Sequence, residues 1–132
     1  MCSGGGISSS FKALQGYSNA VTADAVSKGN AKTVRSVANL QASKIKEDGK
    51  RNASSARAVA AENGLDVDVG AAALIENEHL LDAEYNAEMT KRGAGYQAER
   101  IRREGKMQRN NYGMEATSDL FNAVGQLSGG WK

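Results

Sequence analysis

Only 22 of the 132 residues are leucine, isoleucine, valine or phenylalanine, about one in six and below the roughly 20% at which an ordinary globular core becomes doubtful. Ordering a chain costs about 1 to 2 kcal/mol per residue in backbone entropy, and burial of large apolar side chains is the main term that offsets it. The sequence therefore disfavours a compact, self-sufficient enzyme. It disfavours plain disorder as well: the formal net charge is +2 and proline is absent, whereas disordered segments couple low hydrophobicity to high net charge. Alanine, the commonest residue, occupies 21 positions. With Glu, Lys, Arg, Gln and Met it makes a chain of good helix formers in which nothing forces a kink. The expectation is an all-α protein, an extended hairpin of long, coiled-coil-like helices that completes its burial as a homo-oligomeric ring or tube.

The lone Cys2 allows no internal disulfide and reads as an ordinary terminal thiol. No apolar segment precedes it as a signal peptide would, and no apolar run approaches the roughly 18 residues of a spanning helix. Synthesis in a reducing cytoplasm, without a membrane span, is expected.

Residues 1–10, MCSGGGISSS, read as a flexible N-terminal arm. A long helical hairpin is expected over 11–112. In its first helix Ile7, Phe11, Leu14, Ala25, Val34, Val37, Ala38, Gln41, Ile45, Asn52, Ala56, Val59 and Ala60 recur mostly at steps of three, four or seven, the spacing of one helix face. Gly16, Gly29 and Gly49 mark soft points or close helix contacts, and one break is expected near Gly29-Asn30. The turn falls at residues 63–68. Asn63-Gly64 offers a left-handed stop, and Asp66 or Asp68 an N-cap for the next helix. That helix is expected from about Val69 to Asn110, with Leu74, Leu81, Tyr85, Met89 and Tyr96 as a packing stripe and Gly93 and Gly95 as a flexible point.

Residues 113–132 read as a separate amphipathic C-terminal segment, capped by Thr117 or Ser118 and carrying Leu120, Phe121, Val124 and Leu127. Trp131, beyond a glycine pair, is either a docking anchor, as aromatic residues often are at interfaces, or folds back on its own helix. These five apolar residues form the candidate interaction site.

The small net charge conceals blocks. Residues 1–61 hold nine basic and three acidic groups, 62–90 hold eight acidic and no basic groups, and 91–132 hold eight basic and four acidic groups. Folding the second helix along the first sets acid beside base, which would fix the register of a hairpin or of neighbouring subunits. Arg100, Arg102, Arg103, Lys106 and Arg109 form a candidate basic patch. It lacks interleaved aromatics and includes Glu99 and Glu104, so direct nucleic-acid binding is the less favoured reading against a solvated or subunit-facing surface. No catalytic constellation emerges. His79 is the only histidine and sits among acids, without a second metal-ligand pattern. The glycines at 4–6 lack the lysine of a phosphate loop, and the carboxylates carry no sign of burial. No catalytic residue, cofactor or metal is expected.

The order of segments resembles the small internal virion proteins, or ejection proteins, of short-tailed bacteriophages. The likeness lies in the Met1-Cys2 start with a small-residue arm, an Ala, Gln, Asn and Lys-rich helix and a Gly/Asp turn. It continues in AAALIENEHLLDAEYNAEMTKRGAGYQAERIRREGKMQR from Ala71 to Arg109. The resemblance implies a non-enzymatic protein stored inside the capsid near the portal and ejected with the genome. There it would join larger ejection proteins in a conduit across the host cell envelope, in contact with the host outer membrane. The alternative is a portal or tail adaptor that stays in the virion and docks through its termini; a third class is a basic helical protein that coats nucleic acid.

Overall fold

A computed structural model describes the backbone of residues 5–128 and the side chains of residues 8 and 10–125. Two long helices pack as a hairpin: α1 spans Gly5–Glu62 and α2 spans Ala71–Ser128, each 58 residues long. No strand occurs among the described residues.

The turn between the helices is built by glycine. Gly64 has φ +75°, and its N–H donates to the Ala61 carbonyl (3.0 Å) while the Leu65 N–H donates to the Ala60 carbonyl (3.0 Å). This pair of bonds is the Schellman stop, which satisfies carbonyls that the helix end would leave unpaired. The N-cap expected at Asp66 or Asp68 is not there. Asp66 Oδ1 instead accepts the N–H of Asp68 (3.0 Å), turning the chain locally, and the Asp68 carboxylate is engaged by Arg57 (2.6 Å). The carbonyl of Gly70, at φ +73°, accepts the N–H of Leu74 (3.2 Å), so α2 begins at Ala71.

Both helices run through points where interruptions were expected. α1 is helical from Gly5, within the expected arm, and continues unbroken through Gly29-Asn30; Cys2 lies outside the described residues. α2 passes through Gly93, Gly95 and Asn110-Gly113, and residues 113–128 are its last turns rather than a separate segment. Each glycine costs a helix only about 0.5 to 1 kcal/mol, less than the hydrogen bonds and packing that a break would forfeit.

The larger difference lies in what the helices bury. Among the described residues the buried apolar side chains are all alanines: Ala13, Ala20, Ala31, Ala38, Ala42 and Ala53 on α1, and Ala83, Ala87, Ala98, Ala116 and Ala123 on α2. Ser27, Gly49 and Gly105 complete the face. Of the stripe read for α1, Val34, Ala38, Ile45, Ala56 and Ala60 do turn inward, whereas Phe11, Leu14, Ala25, Val37, Gln41, Asn52 and Val59 are exposed. The Ile7 side chain lies outside the described residues. The inward positions repeat every 11 residues: Ala20, Ala31, Ala42, Ala53, and again Ala83, Ala94, Gly105, Ala116, all buried except half-buried Ala94. Eleven residues in three turns is 3.67 per turn, close enough to 3.6 to hold one side of a helix and distinct from the 3.5 of a heptad.

The chain divides into two compact units, one of Lys32–Ala98 and one joining the segment that ends at Ala31 to the segment that begins at Glu99. In the Lys32–Ala98 unit, a Cβ added to Gly49 would fall on the Ala83 methyl and stand 3.4 Å from the His79 carbonyl oxygen. In the other unit, a Cβ on Gly16 would stand 3.0 Å from the Ala116 methyl and 3.4 Å from the Tyr112 carbonyl, and one on Gly105 would collide with Ser27. At these points the helix backbones approach so closely that only glycine, alanine or serine fits between them.

Gly49→Ala is expected to destabilise the hairpin by about 1 to 3 kcal/mol through overpacking, despite its gain in helix propensity. Adding Ala83→Gly should recover most of the loss. Gly93→Ala, where a Cβ meets nothing within 4 Å, should instead stabilise by about 0.5 to 1 kcal/mol. Thermal melts followed by circular dichroism check all three.

Candidate functional site

Because the fully buried positions hold only small side chains, most of the large apolar residues stand outside, and the surface is where function must be sought. Within the Lys32–Ala98 unit, Leu74, Leu81, Tyr85, Met89 and Tyr96 are all exposed, Leu74 at 70% and Tyr85 at 64%. The stripe expected to pack therefore lies away from the partner helix. Leu74, Tyr85 and Tyr96 keep the same 11-residue spacing as the inward alanines but sit two residues further along than half-buried Ala72, buried Ala83 and half-buried Ala94, which places them across the helix from the inner face. Glu78 and Asp82 are interspersed with them and are exposed. The facing helix carries Leu40, also exposed, with Lys32 and Lys44 nearby on its outward surface.

The flank where the two helices meet holds the charges that set the hairpin register. Arg57 bridges Asp68 (2.6 Å) and Glu76 (3.1 Å), and Lys46 bridges Glu84 (3.2 Å). Asp68 first and then Glu76 raise the Arg57 pKa further above its ordinary value. The acid-to-base pairing expected on folding the second helix back is thus realised within the hairpin. On α2 itself, Arg92 reaches back to Glu88 (2.6 Å); this bond is the main cause of its raised pKa.

The unit that joins the segments ending at Ala31 and beginning at Glu99 contains the two sites singled out by sequence. The basic patch does not form one surface. Arg102 turns inward, donating to Asp24 Oδ1 (3.1 Å) and to the buried Ser27 hydroxyl (3.0 Å), and that hydroxyl donates to the Asp24 carbonyl (2.9 Å). Arg103 pairs with Glu99 (3.4 Å), and Arg109 donates to Asn110 (3.3 Å) beside a shallow groove lined by Tyr17, Val21, Gly113, Met114 and Thr117. Arg100 and Lys106 are exposed. By helical spacing Arg100 and Arg103 share the outward side, and Arg102, Lys106 and Arg109 the side toward the groove.

Of the apolar candidates, Leu120, Phe121 and Val124 are exposed on the last described turns of α2, Phe121 at 74%. Leu127 is helical, but its side chain, like all of Trp131, lies outside the described residues. His79 is exposed and contributes its backbone carbonyl to the close contact at Gly49. Among the described residues no group of three or more His, Cys, Asp and Glu could hold a metal ion, and no helix is long and apolar enough to cross a membrane.

Sequence reasoning placed Ala38, Ala56 and Ala60 inward but missed the rest of the buried alanine face and, with it, the outward direction of the Leu/Tyr/Met stripe. The 11-residue recurrence was the signal that could have found both. Comparison of the chain with protein-family models, with curated proteins and with solved structures finds no match in any of the three.

Half-buried Asp24 is held below its ordinary carboxylate range, first by the Lys28 ammonium (2.7 Å) and, against the opposing effect of burial, by Arg102. A depressed folded-state pKa contributes stability that is fully present above the unfolded value of about 3.9 and is lost as pH falls through the lower folded value. Asp24→Asn is therefore expected to lower the melting temperature at pH 7. The gap between parent and variant should shrink as pH is taken below about 4, as followed by circular dichroism.

Proposed function

We propose that the chain is a non-enzymatic assembly protein of a bacteriophage particle, an internal virion (ejection) protein stored in the capsid near the portal. On this reading it leaves with the genome and re-assembles, with copies of itself and with larger ejection proteins, into a conduit across the host cell envelope. The observation that carries the assembly part is the inverted use of its apolar residues: alanine inside, and Leu74, Leu81, Tyr85, Phe121 and Val124 outside. An apolar stripe left outward by a helix is material for burial against another chain. Long helices without a disulfide also suit passage through a narrow tail, and contacts between neighbouring helices reform quickly. The virion setting rests on the resemblance of Ala71 to Arg109 and the preceding segments to that family.

The second reading, a portal or tail adaptor that remains in the particle, draws on the exposed Leu120, Phe121 and Val124 near one terminus. Quantitative mass spectrometry of purified particles before and after triggered genome release separates the two. The chain is expected in full particles and depleted from emptied ones. Retention at unchanged copy number would favour the adaptor, and absence from full particles would contradict both.

A further inference from the structure

We propose that the outward face of α2 in the Lys32–Ala98 unit docks onto the outward face of α1 in a second copy of this chain, so that copies join head to tail. The inference rests on the reading of the chain as an assembly subunit and gives that assembly its interface.

The two helices of this unit differ in net charge: residues 32–62 on α1 carry seven basic and three acidic groups, and residues 71–98 on α2 carry five acidic and two basic groups. On α2, Leu74, Leu81, Tyr85 and Met89 are exposed around Glu78 and Asp82. On α1, exposed Leu40 stands between Lys32 and Lys44. Among the described residues none of these four charged groups has an ion pair within the chain, because the hairpin register is held instead by Arg57, Lys46, Asp68, Glu76 and Glu84 on the flank. They are therefore available to another chain. Like charges in apposition are unfavourable. Packing α2 on α2 would oppose an excess of carboxylates to itself, and α1 on α1 an excess of cations. Packing α2 of one copy on α1 of the next pairs acid with base and covers the leucine and tyrosine stripe. Such a contact uses different patches on the two copies, and a heterologous contact propagates to a ring or a filament instead of ending at a dimer. A lipid surface is the poorer occupant, since cytoplasmic-leaflet lipids are anionic and Glu78 and Asp82 sit within the stripe.

Charge reversal on the full chain tests this by sedimentation velocity at low salt. One variant carries Glu78→Lys with Asp82→Lys, the other Lys32→Glu with Lys44→Glu. All four positions are exposed, so parental helix content by circular dichroism is the folding control. Each variant alone should lose the assembled species. Mixing them should restore it at equal composition, because the reversed α2 face of one then meets the reversed α1 face of the other, and the native faces meet likewise. Two variants that each assemble as the parent does would overturn this interface while leaving self-assembly standing. Failure of the mixture to re-assemble would overturn the charge pairing. A parent that stays monomeric at every concentration would overturn the interface and self-assembly together. If the parent bound phosphatidylcholine vesicles instead of itself, and Tyr85→Lys abolished that binding, the stripe would belong to lipid and the inference would fall.

Discussion

The close approach of two helix backbones at Gly16 with Ala116, Ser27 with Gly105, and Gly49 with Ala83 is the constraint from which the remaining features follow. Where an added methyl would collide with the opposite helix, leucine or phenylalanine has no place, and most such side chains are displaced to the outward faces. A buried methyl contributes about 0.8 kcal/mol, against about 1.5 to 3 for a large apolar side chain. Alanine also surrenders no rotamer entropy, and close backbone contact adds dispersion over many atoms. The interior is thus economical but thin, and the apolar surface that could have reinforced it faces outward.

An interior with so regular a spacing raises a difficulty of register. Sliding one helix past the other by 11 residues would again set small residues against small residues. Packing alone therefore discriminates poorly between the native pairing and its slipped neighbours. The charges break this degeneracy. Arg57 with Asp68 and Glu76, Lys46 with Glu84, and Asp24 with Arg102 are met together only in the native alignment, and the glycine turn at Gly64 and Gly70 fixes the length of the connection. The exposed pairs of Arg57 and Lys46 each contribute little to stability, so their role is chiefly to select the register, whereas the half-buried Asp24–Arg102 pair contributes to stability as well. Glu78, Asp82, Lys32 and Lys44 take no part in this selection.

The sequence made the hairpin legible because its determinants are local. Asn63-Gly64 announces a helix stop that needs only backbone geometry, and the acidic block after it announces what the basic block before it must face. The direction of the helix faces was not legible from size and hydrophobicity. A periodicity weighted by large side chains selects Phe11, Leu14 and Val59, whereas the buried stripe passes through Ala20, Ala31, Ala42 and Ala53, whose weight on any hydrophobicity scale is slight. Gly29 and Gly93 were misleading in the opposite sense, since a glycine's cost is absorbed when the rest of a long helix is supported by a neighbour. Among candidate site residues, Arg102 could not be separated from Arg100 and Arg103 by composition. Only the position of Asp24 and Ser27 on the facing helix turns it inward.

A hairpin with a small-residue interior and outward leucine and tyrosine should draw part of its stability from association, because partners that bind the folded form shift the folding equilibrium by mass action. The most direct measurement is the melting temperature of the full chain by circular dichroism over about a hundredfold range of concentration, with its mass measured by sedimentation equilibrium on the same samples. The account predicts a melting temperature that rises with concentration and a mass above that of a single chain. One concentration-independent melt of a chain that remains monomeric throughout would contradict it.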